Sequence, residues 1–111
     1  MIPSRDFFPR MRADVGGEGD LQEGGTKCVA VNQKAYALFK VAGQIYCLDN
    51  ACTHMNGPLC RGRVSGFVVT CPLHGSRFDV RTGQVVGAPA RIPVHSYPVA
   101  VQGGRIWAEL P

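Results

Sequence analysis

The 111-residue chain has no long apolar run, no sustained polar tract and almost no stretch that reads as a helix. It never approaches the roughly eighteen consecutive apolar residues of a membrane-spanning helix, so no membrane partner is expected. The opening MIPSRDFFPRMRADV lacks the apolar core of a signal peptide and a twin-arginine pair. A protein of the reducing cytoplasm is therefore the expectation. No Gly-rich nucleotide fingerprint follows a strand pattern, which argues against hydride exchange with a nicotinamide cofactor. Charge is sparse, with a formal net of only +4. The one loose basic group, Arg5, Arg10 and Arg12, has few interleaved aromatics, and no nucleic-acid partner is expected. Repeats and linkers are missing too, so residues 1–111 are read as one domain, expected to be a monomer.

Glycine and proline are abundant. Fourteen glycines and eight prolines break the chain every few residues, and the segments between them are rich in Val, Ile, Phe and Tyr. Many brief strands in an all-β domain follow from that pattern. Strands are expected at 27–31, 35–41 and 44–48 as an antiparallel meander, turning at Asn32-Gln33-Lys34 and Ala42-Gly43. A tight hairpin pairs 62–64 with 67–71 across Ser65-Gly66. Further strands are expected at 77–80, 84–86, 97–101 and 105–110. Between them lie two irregular segments, 49–59 and 72–75, each carrying one Cys and one His.

Those four residues, Cys52, His54, Cys71 and His74, stand in the segments Cys52-Thr53-His54 and Cys71-Pro72-Leu73-His74. A [2Fe–2S] cluster needs two protein ligands on each iron besides the bridging sulfides, and in a Rieske centre two imidazoles replace two thiolates on one iron. Each loop would give its Cys to one iron and its His to the other. Gly57 and Gly75 suit a site where backbone N–H groups must approach cluster sulfur, while Pro58 and Pro72 stiffen the loops. A tetrahedral zinc site built from the same four residues, in a zinc-stabilised interaction module, is the alternative chemistry. Zinc knuckles favour Cys-x-x-Cys, and the Cys-x-His order here is unusual for them.

CTH followed by CPLHG, with GPL in the first loop and SRFDVRTG after the second, resembles the Rieske family from about Asp20 to the C-terminus. It is most similar to the soluble ferredoxins of bacterial multicomponent ring-hydroxylating oxygenase systems, and to the related small subunit of NAD(P)H nitrite reductases. The resemblance implies a Rieske fold: antiparallel sheets in a sandwich or barrel, with a two-loop cluster-binding subdomain at about residues 50–90. It also implies one [2Fe–2S] cluster per chain, held by Cys52, His54, Cys71 and His74. The implied function is single-electron transfer from a flavoprotein ferredoxin reductase to a terminal oxygenase by transient contacts; the nitrite reductase subunit is the runner-up.

High-potential members of the family carry an extra disulfide between the loops; the corresponding residues are Gly57 and Leu73, which cannot form one. Of the Ser and Tyr hydroxyls that donate to the cluster side in those members, Ser76 matches the first. Phe78 replaces the second and has no hydroxyl. Cys28, Cys47 and Cys60 are read as structural residues, the first two as small buried hydrophobes in strands. Met55, Pro58, Leu59 and Leu73 are expected to ring the exposed imidazole edge, with Ala88-Pro89-Ala90 covering another side. His95 is read as a strand-surface residue. With two of the three histidines committed, a mononuclear oxygenase iron held by two histidines and a carboxylate cannot be built, so the chain is not expected to be a catalyst.

Overall fold

A computed structural model describes residues 11–111. Arg5 and Arg10 of the loose basic group lie outside the described residues. The chain order is β1 (Met11–Gly17), β2 (Thr26–Val31), β3 (Lys34–Val41), β4 (Gln44–Asp49), β5 (Arg63–Ser65), β6 (Val68–Thr70), β7 (Arg77–Asp79), β8 (Val85–Gly87), β9 (Ser96–Tyr97), β10 (Val99–Gln102) and β11 (Arg105–Leu110). Helical structure among the described residues is limited to two 3-10 turns, Glu18–Asp20 and Leu59–Arg61. The all-β expectation holds. Three antiparallel sheets are formed: β1-β11-β10 at the base, β2-β3-β4-β9 in the middle and β5-β6-β7-β8 at the tip.

Both meander turns use two left-handed residues, Asn32 and Gln33 (φ 51° and 69°) and Ala42 and Gly43 (φ 53° and 77°). Positive φ at both central positions matches the twist of two-residue hairpins. The middle sheet is then covered on both faces. Side chains alternate along a strand, so β3 sends Tyr36 and Leu38 towards Ile106, Ala108 and Leu110 of the base. Its Ala37, Phe39 and Val41 go the other way, into a second core with Leu59, Val69, Phe78 and Val80. Each such large apolar side chain contributes about 1.5–3 kcal/mol by leaving water. The unbroken apolar run from Tyr36 to Phe39 is the sequence trace of a strand buried on both sides.

The chain leaves the middle sheet at the end of β4 and returns to it at β9, which pairs with β4 through Cys47 opposite Tyr97 and Leu48 opposite Ser96. Everything between, residues 50–95, builds the tip.

Three expectations need correction. The tip hairpin turns at Gly66-Phe67, one residue later than expected, with Ser65 opposite Val68. Pro98 interrupts the expected 97–101 strand, since it has no N–H to offer a ladder, giving β9 and β10. Residues 11–17 also form a strand that no local pattern announces; β1 pairs along β11 from Met11 opposite Leu110 to Gly17 opposite Arg105.

Candidate metal centre

Two loops at the tip are closed by their own backbones. In the first, Cys52 N–H donates to the Gly57 carbonyl (2.9 Å) and Asn56 N–H to the Cys52 carbonyl (2.7 Å), with Asn56 left-handed at φ 59°. The Asn50 side-chain oxygen accepts the Cys60 N–H (2.8 Å) and fixes the loop's exit. In the second, Cys71 N–H donates to the Ser76 carbonyl (2.7 Å). His74 and Gly75 reverse the chain with φ of 67° and 79°. A left-handed histidine is uncommon, and here it lies at the turn between its loop and β7.

The four sequence-predicted residues come together at this tip, sorted by chemistry. Cys52 and Cys71 are buried with their thiols side by side. His54 and His74 are exposed, with ring centroids 5.3 Å apart and planes at 84°. Burial pushes the Cys71 thiol pKa up, and the Cys52 thiol beside it adds to the shift. A bound cation reverses that tendency by stabilising thiolate. Among the described residues, no three His, Cys, Asp or Glu side chains converge as a set for one metal ion. Two buried sulfurs and two outer imidazoles fit a binuclear centre that takes two ligands per iron.

The surroundings agree. A Cβ placed on Gly57 would sit 2.5 Å from Cys71 Sγ and 3.2 Å from Leu73 Cβ, so glycine keeps that cradle open. The same geometry puts positions 57 and 73 face to face, where the extra disulfide of high-potential family members would lie. Ser76 is fully buried, and its Oγ accepts the Ala90 N–H (3.0 Å), which leaves the hydroxyl proton to be donated. Phe78 is fully buried in the same core as Cys52 and Cys71. The Thr53 hydroxyl donates to the Ile92 carbonyl (2.5 Å), strapping the first loop to the segment before β9.

Around the imidazoles, Met55 is 54% and Leu73 44% exposed, as expected of a rim. Leu59 is not on that rim. It is fully buried beneath the loop, because the 3-10 turn at 59–61 directs it into the core. Ala90 is likewise buried, while Ala88 is exposed. Ile92, 63% exposed, joins the rim instead; an isoleucine between Arg91 and Pro93 carries no local signal of exposure. His95 is exposed, but it precedes β9 instead of lying in a strand, and its carbonyl accepts the Asp49 N–H.

The other cysteines divide. Cys47 is buried as expected, and burial drives its thiol pKa up to about 12. Cys28 is exposed, not buried, and forms a disulfide with Cys60 across 32 residues. The pairing was not legible because it depends on β2 lying beside the 3-10 turn, an approach also marked by Thr26 Oγ1 donating to the Cys60 carbonyl (2.7 Å).

Comparison with known proteins gives the same picture. The family described as Rieske [2Fe-2S] domain matches residues 11–98. The ferredoxin component of the naphthalene 1,2-dioxygenase system of Pseudomonas aeruginosa is 40% identical over 91 residues, covering 82% of this chain and 88% of the relative. Among solved structures, Sphingomonas yanoikuyae B1 ferredoxin superposes with a TM-score of 0.86 at 30% identity, over 91% of this chain and all (100%) of the other. A ferredoxin chain in a complex of reduced oxygenase and oxidized ferredoxin, in carbazole 1,9a-dioxygenase, gives 0.83 at 30% identity, over 88% of this chain and 92% of the other.

Proposed function

Since the chain belongs to the Rieske [2Fe–2S] family, we propose that it is a ferredoxin carrying single electrons from a flavoprotein reductase to a terminal oxygenase, with Cys52 and Cys71 ligating one iron and His54 and His74 the other. The observation that carries this reading is the sorting of donors, two sulfurs inside and two imidazoles outside. When bound, the cluster supplies a one-electron couple. The protein's own residues do the rest. Phe78, Leu59 and Val69 exclude water from the sulfur side, and Gly57 leaves room for the donor atoms to converge. His54 and His74 form the solvent-facing edge, where a partner approaches most closely. The relatives are named as ferredoxin components, which supports a carrier rather than a catalyst.

The same reading takes residues 1–111 as one domain, monomeric and cytoplasmic, where nicotinamide-fed reductases operate. The contacts are transient, as small redox encounters are. Without a Tyr hydroxyl at Phe78 and with Gly57 in place of a disulfide cysteine, the reduction potential falls in the lower part of about −150 to +300 mV. The deciding experiment is the visible and EPR spectrum of the dithionite-reduced protein. A signal of mixed imidazole and thiolate ligation is expected. An all-thiolate signal, or a colourless zinc protein, overturns the ligand assignment.

A further inference from the structure

The net positive charge of the chain is concentrated at one end. Residues 50–95, the tip, contain five arginines and one carboxylate, Asp79, which is bound by Arg81 (2.9 Å). The other described residues hold five basic side chains against six acidic ones, and three of those bases are ion-paired: Lys27 to Asp20, Lys34 to Asp49 and Arg105 to Asp14. Among the described residues Arg61, Arg63, Arg77 and Arg91 have no acidic partner within ion-pair distance and are exposed.

Their placement follows both loops. Arg61 and Arg63 line one depression with Pro72 of the second loop. Arg91 adjoins Ile92, whose carbonyl holds Thr53 of the first loop. Arg77 stands three residues after His74 and packs against Gly87. The same tip exposes Met55 and Leu73, the chain neighbours of His54 and His74, and Ile92 next to Arg91. An apolar centre with a charged rim is the anatomy of a docking patch. No lysine occurs in the tip. Guanidinium forks bind carboxylates in pairs, whereas ammonium groups act as point charges.

We propose that the arginine border docks an acidic protein surface, so that the redox partner presents carboxylates around its own electron-transfer site. This rests on the carrier reading above and names the chemistry of its partner. Four unpaired positive charges near the exchanging edge accelerate encounter with an anionic partner and slow a cationic one, and salt screens both effects.

The test follows oxidation of the dithionite-reduced holoprotein by two acceptors, plastocyanin (an acidic copper protein) and cytochrome c (a basic haem protein). In each case one electron leaves the reduced protein and one Cu(II) or Fe(III) gains it. The rate with plastocyanin should fall about tenfold between about 10 mM and about 300 mM salt, and that with cytochrome c should rise. The variant R61Q/R63Q/R91Q should lose most of the plastocyanin salt dependence, with its visible spectrum unchanged. Lys40→Gln in β3, outside the tip, should change the low-salt rate less than about twofold. A flat or reversed plastocyanin salt dependence, or a triple variant that matches Lys40→Gln, overturns the proposal. If the triple variant does not hold its cluster, the opposite salt responses of the two acceptors with the unaltered protein still decide. Arginine-dependent binding to phosphatidylglycerol vesicles, with no salt effect on plastocyanin, would assign the face to a membrane surface and overturn it too. Failure of both acceptors at every salt concentration would instead refute the carrier reading.

Discussion

Base and tip are built on different terms. The base and middle sheets have strands of six to eight residues in β2, β3, β4 and β11, registered by alternation and closed by two-residue turns. The tip strands are three residues each, and their loops are fixed by single bonds such as Cys52 N–H to Gly57 and Cys71 N–H to Ser76. Regular ladders give stability that is spread over many residues. Short strands give little, so the tip depends on a few buried side chains and on what its cysteines bind. Stability thus resides mainly at one end and chemistry at the other.

The sharpest break in that contrast is removal of a thiol. Cys71→Ala should abolish iron binding entirely while the base remains folded, measured by iron content and far-ultraviolet circular dichroism. Next comes a matched pair of core truncations, Phe78→Ala at the tip and Leu38→Ala between base and middle sheets. Phe78→Ala should cost about 3–5 kcal/mol and Leu38→Ala about 2–5 kcal/mol in denaturant unfolding. Phe78→Ala should also release iron at denaturant concentrations that leave the strands intact, whereas Leu38→Ala should lose both together. Coincident iron loss and unfolding in both variants would erase the distinction.

Cys28→Ser with Cys60→Ser ties the two ends more directly, since the bridge fastens the exit of the first loop to β2. A crosslink closing a loop of this size contributes about 2–4 kcal/mol through the unfolded chain, and that loss is expected in urea. The smallest effect belongs to Cys47. Its thiol pKa is raised to about 12 in the folded protein, above the ordinary value of about 8.5. Folding therefore favours the protonated form. The resulting stability is fully present below about pH 8 and is lost as pH climbs towards 12. Native Cys47 should resist alkylation at pH 8 by mass spectrometry; rapid labelling would show the middle sheet to be looser than the ladder implies.

What could be read from sequence follows the same division. Strands β2 to β4 and β11 were legible to within a residue or so because alternation and turn residues coincide there. The four candidate donors stood out because their spacing is chemically specific, and the structure brings them to the same tip. What escaped was set by tertiary approach. Residues 11–17, with two glycines and two charges, form a strand because β11 offers them an edge; strand preference is largely a matter of such neighbours. Leu59 is buried against expectation and Ile92, for which nothing was expected, is exposed, because a 3-10 turn and the Thr53 strap, not composition, decide which way those segments face. The Cys28–Cys60 bridge joins residues whose nearness exists only once the sheets have stacked.

The return of the chain at β9, opposite the strand it left at β4, has one more implication. Residues 50–95 begin and end at neighbouring rungs of a single ladder, Leu48 with Ser96 and Cys47 with Tyr97. The metal-binding part is thus a cassette plugged into one hairpin position. Loops of other lengths, or with other donors, can be grafted between those rungs with no strand of the base rewired.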